Sequence, residues 1–186
     1  MQRHETRQLA VTRPIKTLHV RAISAKAQAG LLQAGGLAIP CRIGRTGRTC
    51  LKREGDGATP VGSFKLVQGY YRQGHFIRKP SLLPQRPLKQ SDGWCDESAD
   101  RNYNRLVRLP YPAGHEELFR NDGIYDVVIT LDHNQRPRVK KLGSAVFFHL
   151  NRDAKSPTAG CVAISRADMA RLLPRLSRKT RIVVKA

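Results

Sequence analysis

The chain has 186 residues, enough for one domain whose apolar core stands without disulfide or metal staples. Its 34 Lys and Arg against 14 Asp and Glu give a formal charge of +20, a field that draws anionic polymers and membrane surfaces. The basic residues are spread along the chain without zinc-knuckle spacing or aromatic–basic interleaving, and no apolar run reaches the length of a spanning helix. Neither a nucleic-acid module nor a transmembrane segment is therefore expected.

Residues 1–14 read as a polar, basic arm, and MQRHETRQLAVTRPIK lacks the apolar stretch of a secretory signal. Alternation in IKTLHVRAIS (15–24) predicts a first strand. A strand pair is predicted across GLLQAGGLAIPCRIG (30–44), turning at Gly35-Gly36. The glycine-rich stretch from Gly44 to Gly62 reads as loop, and SFKLVQGYY (63–71) as another strand. The first seventy residues thus read as antiparallel β.

Between residues 74 and 123 the pattern breaks. Prolines at 80, 84, 87, 110 and 112 and the polar stretch SDGWCDESADRNYNR predict a long loop-rich insertion. Trp94 sits there near Asp92, Asp96, Tyr103 and Asn104, and reads as a wall or flap; a packing anchor is the ordinary alternative. The β pattern returns in YDVVITL (125–131), in Val146–His149 and in Cys161–Ser165. Ser165-Arg166-Ala167-Asp168 fits a helix-start capping box with Asp in place of Glu. Met169, Leu172, Leu173 and Leu176 then share one helical face, Pro174 ends or kinks the helix, and RIVVKA closes the chain as a strand.

Chemistry concentrates in one strand–loop–strand unit. His149 ends an apolar run, and Gly160-Cys161 precedes another. A cysteine that attacks a carbonyl needs a base, which imidazole supplies near neutral pH. It also needs N–H donors aimed at the oxyanion, which a preceding glycine can permit through unusual backbone angles. The bland alternative is a buried histidine and a buried small thiol. No side chain adjacent to His149 can orient its ring, so a main-chain carbonyl is expected to do so. Cys41, Cys50, Cys95 and Cys161 contain no C-x-x-C pair, which argues against zinc ribbons and thioredoxin chemistry; a Cys41–Cys50 disulfide stays open. No metal site, nucleotide loop or other cofactor is implied.

Three separated blocks agree in order and spacing: Thr59-Pro60 with Gly62 and Phe64, the His149 strand, and Thr158 with Gly160-Cys161-Val162. Together they resemble the L,D-transpeptidase catalytic domain, or YkuD domain. GDGATPVG and Tyr103-Asn104 resemble one branch of it. The resemblance spans residues 15–186 and implies a β-rich α+β fold, a mixed sandwich or barrel with a short helix after the catalytic cysteine. It implies attack by Cys161 on the diaminopimelate carbonyl of a peptidoglycan tetrapeptide stem, D-alanine departure, and a 3→3 cross-link to a neighbouring stem. His149 would be the base, the N–H groups of Gly160 and Cys161 the oxyanion hole, and Trp94, Tyr103 and Asn104 substrate contacts, with Thr158 either contacting substrate through its hydroxyl or shaping the turn. The partner would be peptidoglycan stems and the place the cell envelope or periplasm. Two positions depart from the family pattern: Ala159 stands where many members have a second histidine, and Ala163 where many have arginine or asparagine. An L,D-carboxypeptidase or amidohydrolase with the same Cys–His pair, and a non-catalytic cell-wall or nucleic-acid binding domain, are the other readings.

Overall fold

The computed structural model describes residues 13–76 and 80–186, so nearly all of the expected arm over 1–14 lies outside the described residues. Alternation decides β1 (Thr17–Arg21), which buries Leu18 and Val20 on one face. β2 (Ala29–Ala34) and β3 (Leu37–Arg42) form the expected hairpin. Gly35 and Gly36 take φ of 53° and 88°, the left-handed pair that a two-residue hairpin turn requires. β4 (Arg48–Thr49) and β5 (Thr59–Pro60) pair briefly within the glycine-rich loop, and β6 (Gly62–Tyr71) follows as the longest strand.

After β6 come β7 (Gln85–Pro87), β8 (Asp92–Cys95), β9 (Arg105–Arg108) and β10 (His115–Glu117). The second half of the main sheet consists of β11 (Val127–Leu131), β12 (Phe147–Leu150), β13 (Val162–Ile164) and β14 (Arg181–Val184). The strand order is β11-β12-β13-β3-β2-β1-β14-β6-β7, and β11 also pairs with β6. That last pairing closes eight strands into a ring, with β7 appended outside it. The β-rich α+β barrel is as expected, but the early strands are not purely antiparallel: β1 runs parallel to β14 and β4 to β5, and later in the chain β12 runs parallel to β13. Hydrophobic alternation reports which face is buried and carries no information about partner direction.

α1 (Arg166–Leu172) begins where the capping box predicts, with Ser165 Oγ accepting from the Asp168 N–H at 3.1 Å. Pro174 falls in a 3₁₀ turn over Leu173–Arg175, and Met169, Leu172, Leu173 and Leu176 all join the barrel's interior core.

The 74–123 insertion is more regular than its prolines suggest. β8, β9 and β10 form a separate three-stranded antiparallel sheet, ordered β10-β8-β9. Phe148 and Leu150 of β12 point into the barrel core, whereas Phe147 belongs to a second cluster with Trp94, Leu118, Tyr125, Val128 and Cys161. Side chains alternate along a strand, so Phe147 and His149 share the outer face. The site therefore forms on the barrel's outer wall, roofed by the insertion. All four cysteines are free thiols, so no Cys41–Cys50 bridge exists.

Candidate active site

His149 is fixed by its own strand. Its Nδ1 lies 2.8 Å from the Leu150 carbonyl, which can only accept, so Nδ1 carries the proton and Nε2 keeps a lone pair. This is the main-chain orienting group expected above. The ring meets Tyr125 edge-on with centroids 5.1 Å apart. Burial pushes the imidazole down to about 4, so it is neutral at pH 7.

Cys161 immediately precedes β13, whose register pairs Phe148 with Val162 and His149 with Ala163. That register sets Cys161 beside Phe147, two positions from His149 and on the same face. Its Sγ accepts from the Phe147 N–H and donates to the Ala145 carbonyl, both at 3.2 Å. Burial pushes the thiol up to about 12; Glu116 adds to this, while the Phe147 N–H and Lys52 oppose it. Thiol and imidazole are thus both neutral at rest, with the S–H turned to the Ala145 carbonyl.

Gly160 has φ of 140°, and an added Cβ would stand 2.9 Å from the Ala58 carbonyl oxygen. Only glycine fits so close to another backbone segment at such an angle. The expected pair of main-chain oxyanion donors is reduced, however. The Gly160 N–H donates to Thr158 Oγ1 at 3.1 Å, and the Thr158 hydroxyl donates to the Cys161 carbonyl at 2.7 Å. Thr158 thus lines the cleft, but these bonds hold its hydroxyl within the Thr158–Cys161 turn. Thr59 also donates to the Cys161 carbonyl, at 3.3 Å, while accepting from the Gly44 N–H at 2.8 Å. The Thr-Pro and Gly-Cys blocks meet at this one carbonyl.

Cys161, His149, Gly160 and Thr158 open into a cleft of about 420 Å³. Its rim carries both signs of charge: Glu54, Asp96 and Glu116 against Lys52, Arg120 and Arg152. The model of the L,D-transpeptidase catalytic domain, YkuD, matches residues 23–184. The chain belongs to this family. No curated protein and no solved structure matches the chain.

In this L,D-transpeptidase-family domain the three insertion residues expected to touch substrate lie behind the cleft wall. Trp94 packs edge-on to Phe147 with centroids 5.3 Å apart, and its Nε1–H donates to Asn104 Oδ1 at 3.0 Å. Asn104 is 2% exposed, takes the Ala145 N–H at 3.2 Å, and donates to the His133 and Asn134 carbonyls. Tyr103 donates to Glu54, which also holds Ser144 Oγ at 2.7 Å. None of the three lines the cleft. They brace the 143–146 turn that carries the thiol's acceptor, because a buried amide or indole must spend its polar atoms on fixed partners.

Sequence reasoning missed Tyr125, Glu116 and Lys52. Tyr125 donates to Glu116 at 2.8 Å, and burial raises the carboxyl of Glu116. Tyr125 sits in the turn before β11 and Lys52 in a glycine-rich loop; nothing local marks either as part of a cleft.

Proposed function

We propose that residues 15–186 act as one catalytic unit, a peptidoglycan L,D-transpeptidase of the cell envelope with Cys161 as nucleophile and His149 as base. The observation that carries this reading is the Leu150 carbonyl bond, which puts the ring proton on Nδ1 and the lone pair on Nε2 of His149, in the cleft it shares with the Cys161 thiol. His149 takes the thiol proton as Sγ bonds to the diaminopimelate carbonyl of a tetrapeptide stem, and the carbonyl π pair moves to oxygen. When that pair returns, the C–N bond breaks and His149 passes the proton to the departing D-alanine. The side-chain amine of a neighbouring stem then attacks the thioester and releases Cys161, giving the 3→3 cross-link.

Both charges on the cleft rim suit a diaminopimelate end, which presents an amine and a carboxylate. The Cys161 N–H has no hydrogen-bond partner among the described residues and is the main-chain donor left for the oxyanion. The intact protein is incubated with a disaccharide-tetrapeptide alongside Cys161→Ala. A covalent acyl adduct with D-alanine release, absent in the variant, is expected, together with a dimeric product. Free tripeptide in place of dimer would identify a carboxypeptidase. Absence of both adduct and D-alanine would reject the assigned donor.

A further inference from the structure

Lys52 belongs to the glycine-rich loop, whose side chains the steps above leave without a task. Its side chain is 9% exposed, unusual for lysine. The aliphatic stem lies along Gly143, close enough that an added Cβ there would meet Lys52 Cγ at 2.9 Å. The ammonium pairs with Asp56 and donates to the Arg53 carbonyl at 3.0 Å. An ammonium has three N–H bonds, so two fixed partners leave one.

The open side of that ammonium is the cleft. Nζ stands 3.5 Å from the point a Gly160 Cβ would occupy, and Lys52 lines the cavity with Cys161 and Ser144. Other charges face the same space: Glu54, Asp96 and Glu116, and the guanidinium groups of Arg45, Arg120 and Arg152. Arg120 and Arg152 are 33% and 60% exposed and both pair with Asp122, and Arg45 is exposed. Lys52 is therefore the desolvated cation beside the nucleophile turn, where a charge acts most strongly. That turn is short of a donor, because the Gly160 N–H is bound to Thr158.

We propose that Lys52 is a catalytic residue of this site, its third N–H hydrogen-bonding the oxyanion that forms when Cys161 attacks a carbonyl. The inference rests on Cys161 being the nucleophile. His149 takes the thiol proton as the S–C bond forms, the π pair moves to oxygen, the Lys52 N–H holds that oxygen, and the pair returns as the leaving group departs. The missing Cβ of Gly160 keeps the space over the ammonium open. A second effect follows from the same charge, which favours the Cys161 thiolate over the thiol.

The test compares Lys52→Met and Lys52→Arg with the intact protein in two reactions at pH 8. One is acylation of Cys161 by p-nitrophenyl acetate, which passes through an oxyanion; the other is alkylation by iodoacetamide, which does not. Both are followed by the mass of the Cys161 peptide, and a thermal melt checks that each variant is folded. Lys52→Met is expected to slow acylation about 10²–10³-fold. Alkylation should fall only about threefold, since a thiol raised by loss of the ammonium has less thiolate but gains nucleophilicity. Lys52→Arg keeps the charge and should recover part of the acylation rate. Equal losses in both reactions, or no loss of acylation, would overturn the oxyanion role. A wild-type protein whose Cys161 is not acylated would instead overturn the nucleophile assignment and the inference with it, an outcome distinguishable from the first.

Discussion

Asn104→Ala is the sharpest test of how the insertion supports the thiol. The substitution removes Oδ1, which accepts from Trp94 Nε1 at 3.0 Å and from the Ala145 N–H at 3.2 Å. It also removes Nδ2, which donates to the His133 and Asn134 carbonyls at 3.1 and 2.9 Å. Those two carbonyls belong to half-buried residues that water can reach, so their loss is largely replaced. The indole and Ala145 N–H groups lie in the packed seam, where an unpaired donor costs about 1–3 kcal/mol. Asn104 holds φ of 56°, a conformation that asparagine tolerates better than alanine, adding about 1 kcal/mol. The expected loss is about 3–7 kcal/mol, a large share of an ordinary domain's stability. Urea unfolding followed by circular dichroism measures it. The Ala145 carbonyl holds the thiol proton, so loosening its turn should also raise the alkylation rate of Cys161 several-fold. A loss under about 1 kcal/mol with unchanged alkylation would refute Asn104 as the link between the insertion and the Cys161 thiol.

Gly160→Ala should lower stability by about 1–3 kcal/mol and slow Cys161 acylation at least tenfold, because its Cβ meets the Ala58 carbonyl at 2.9 Å with φ at 140°. Denaturant melts and the p-nitrophenyl acetate reaction read the two effects separately. The second expectation concerns pH. His149 has its folded pKa depressed to about 4, against 6.5 when unfolded, so the unfolded chain binds the extra proton first. Its contribution is full above 6.5 and is lost as pH falls toward 4, about 2–3 kcal/mol between pH 7 and 4.5. His149→Gln should lack that part of the acid destabilisation; parallel stability–pH curves for the two proteins would contradict a buried, neutral imidazole.

Much of the barrel is legible because its strands are long enough to alternate. The ten residues of β6 and the apolar stretch of β11 announce themselves, as does the helix from its cap at Ser165. The His149–Cys161 pair is legible for another reason: each stands at the edge of an apolar run, beside a glycine in one case. The small sheet is invisible because β9 and β10 have four and three residues and mostly polar side chains, too short for a period to register. Ring closure is equally hidden, since β1 finds β14 and β6 finds β11 across long stretches of chain. The bracing contacts follow the same rule. Tyr103 reaches Glu54, Asn104 reaches Ala145 and Thr59 reaches Cys161, links that only the folded topology brings together. Trp94, Tyr103 and Asn104 stand out in the sequence through their chemistry, but residue type does not tell which side of a wall a side chain occupies.

The neutral resting state of the pair bears on how such a thiol endures. Peroxide and disulfides react with thiolate far faster than with thiol, and oxidation past the sulfenic stage is irreversible for most proteins. Cys161 is 7% exposed, protonated, and has its hydrogen turned to a main-chain oxygen. That arrangement keeps an unpaired cysteine reduced at rest. Cys50, an exposed thiol outside the cleft, meets oxidants without any such shelter and would be modified first.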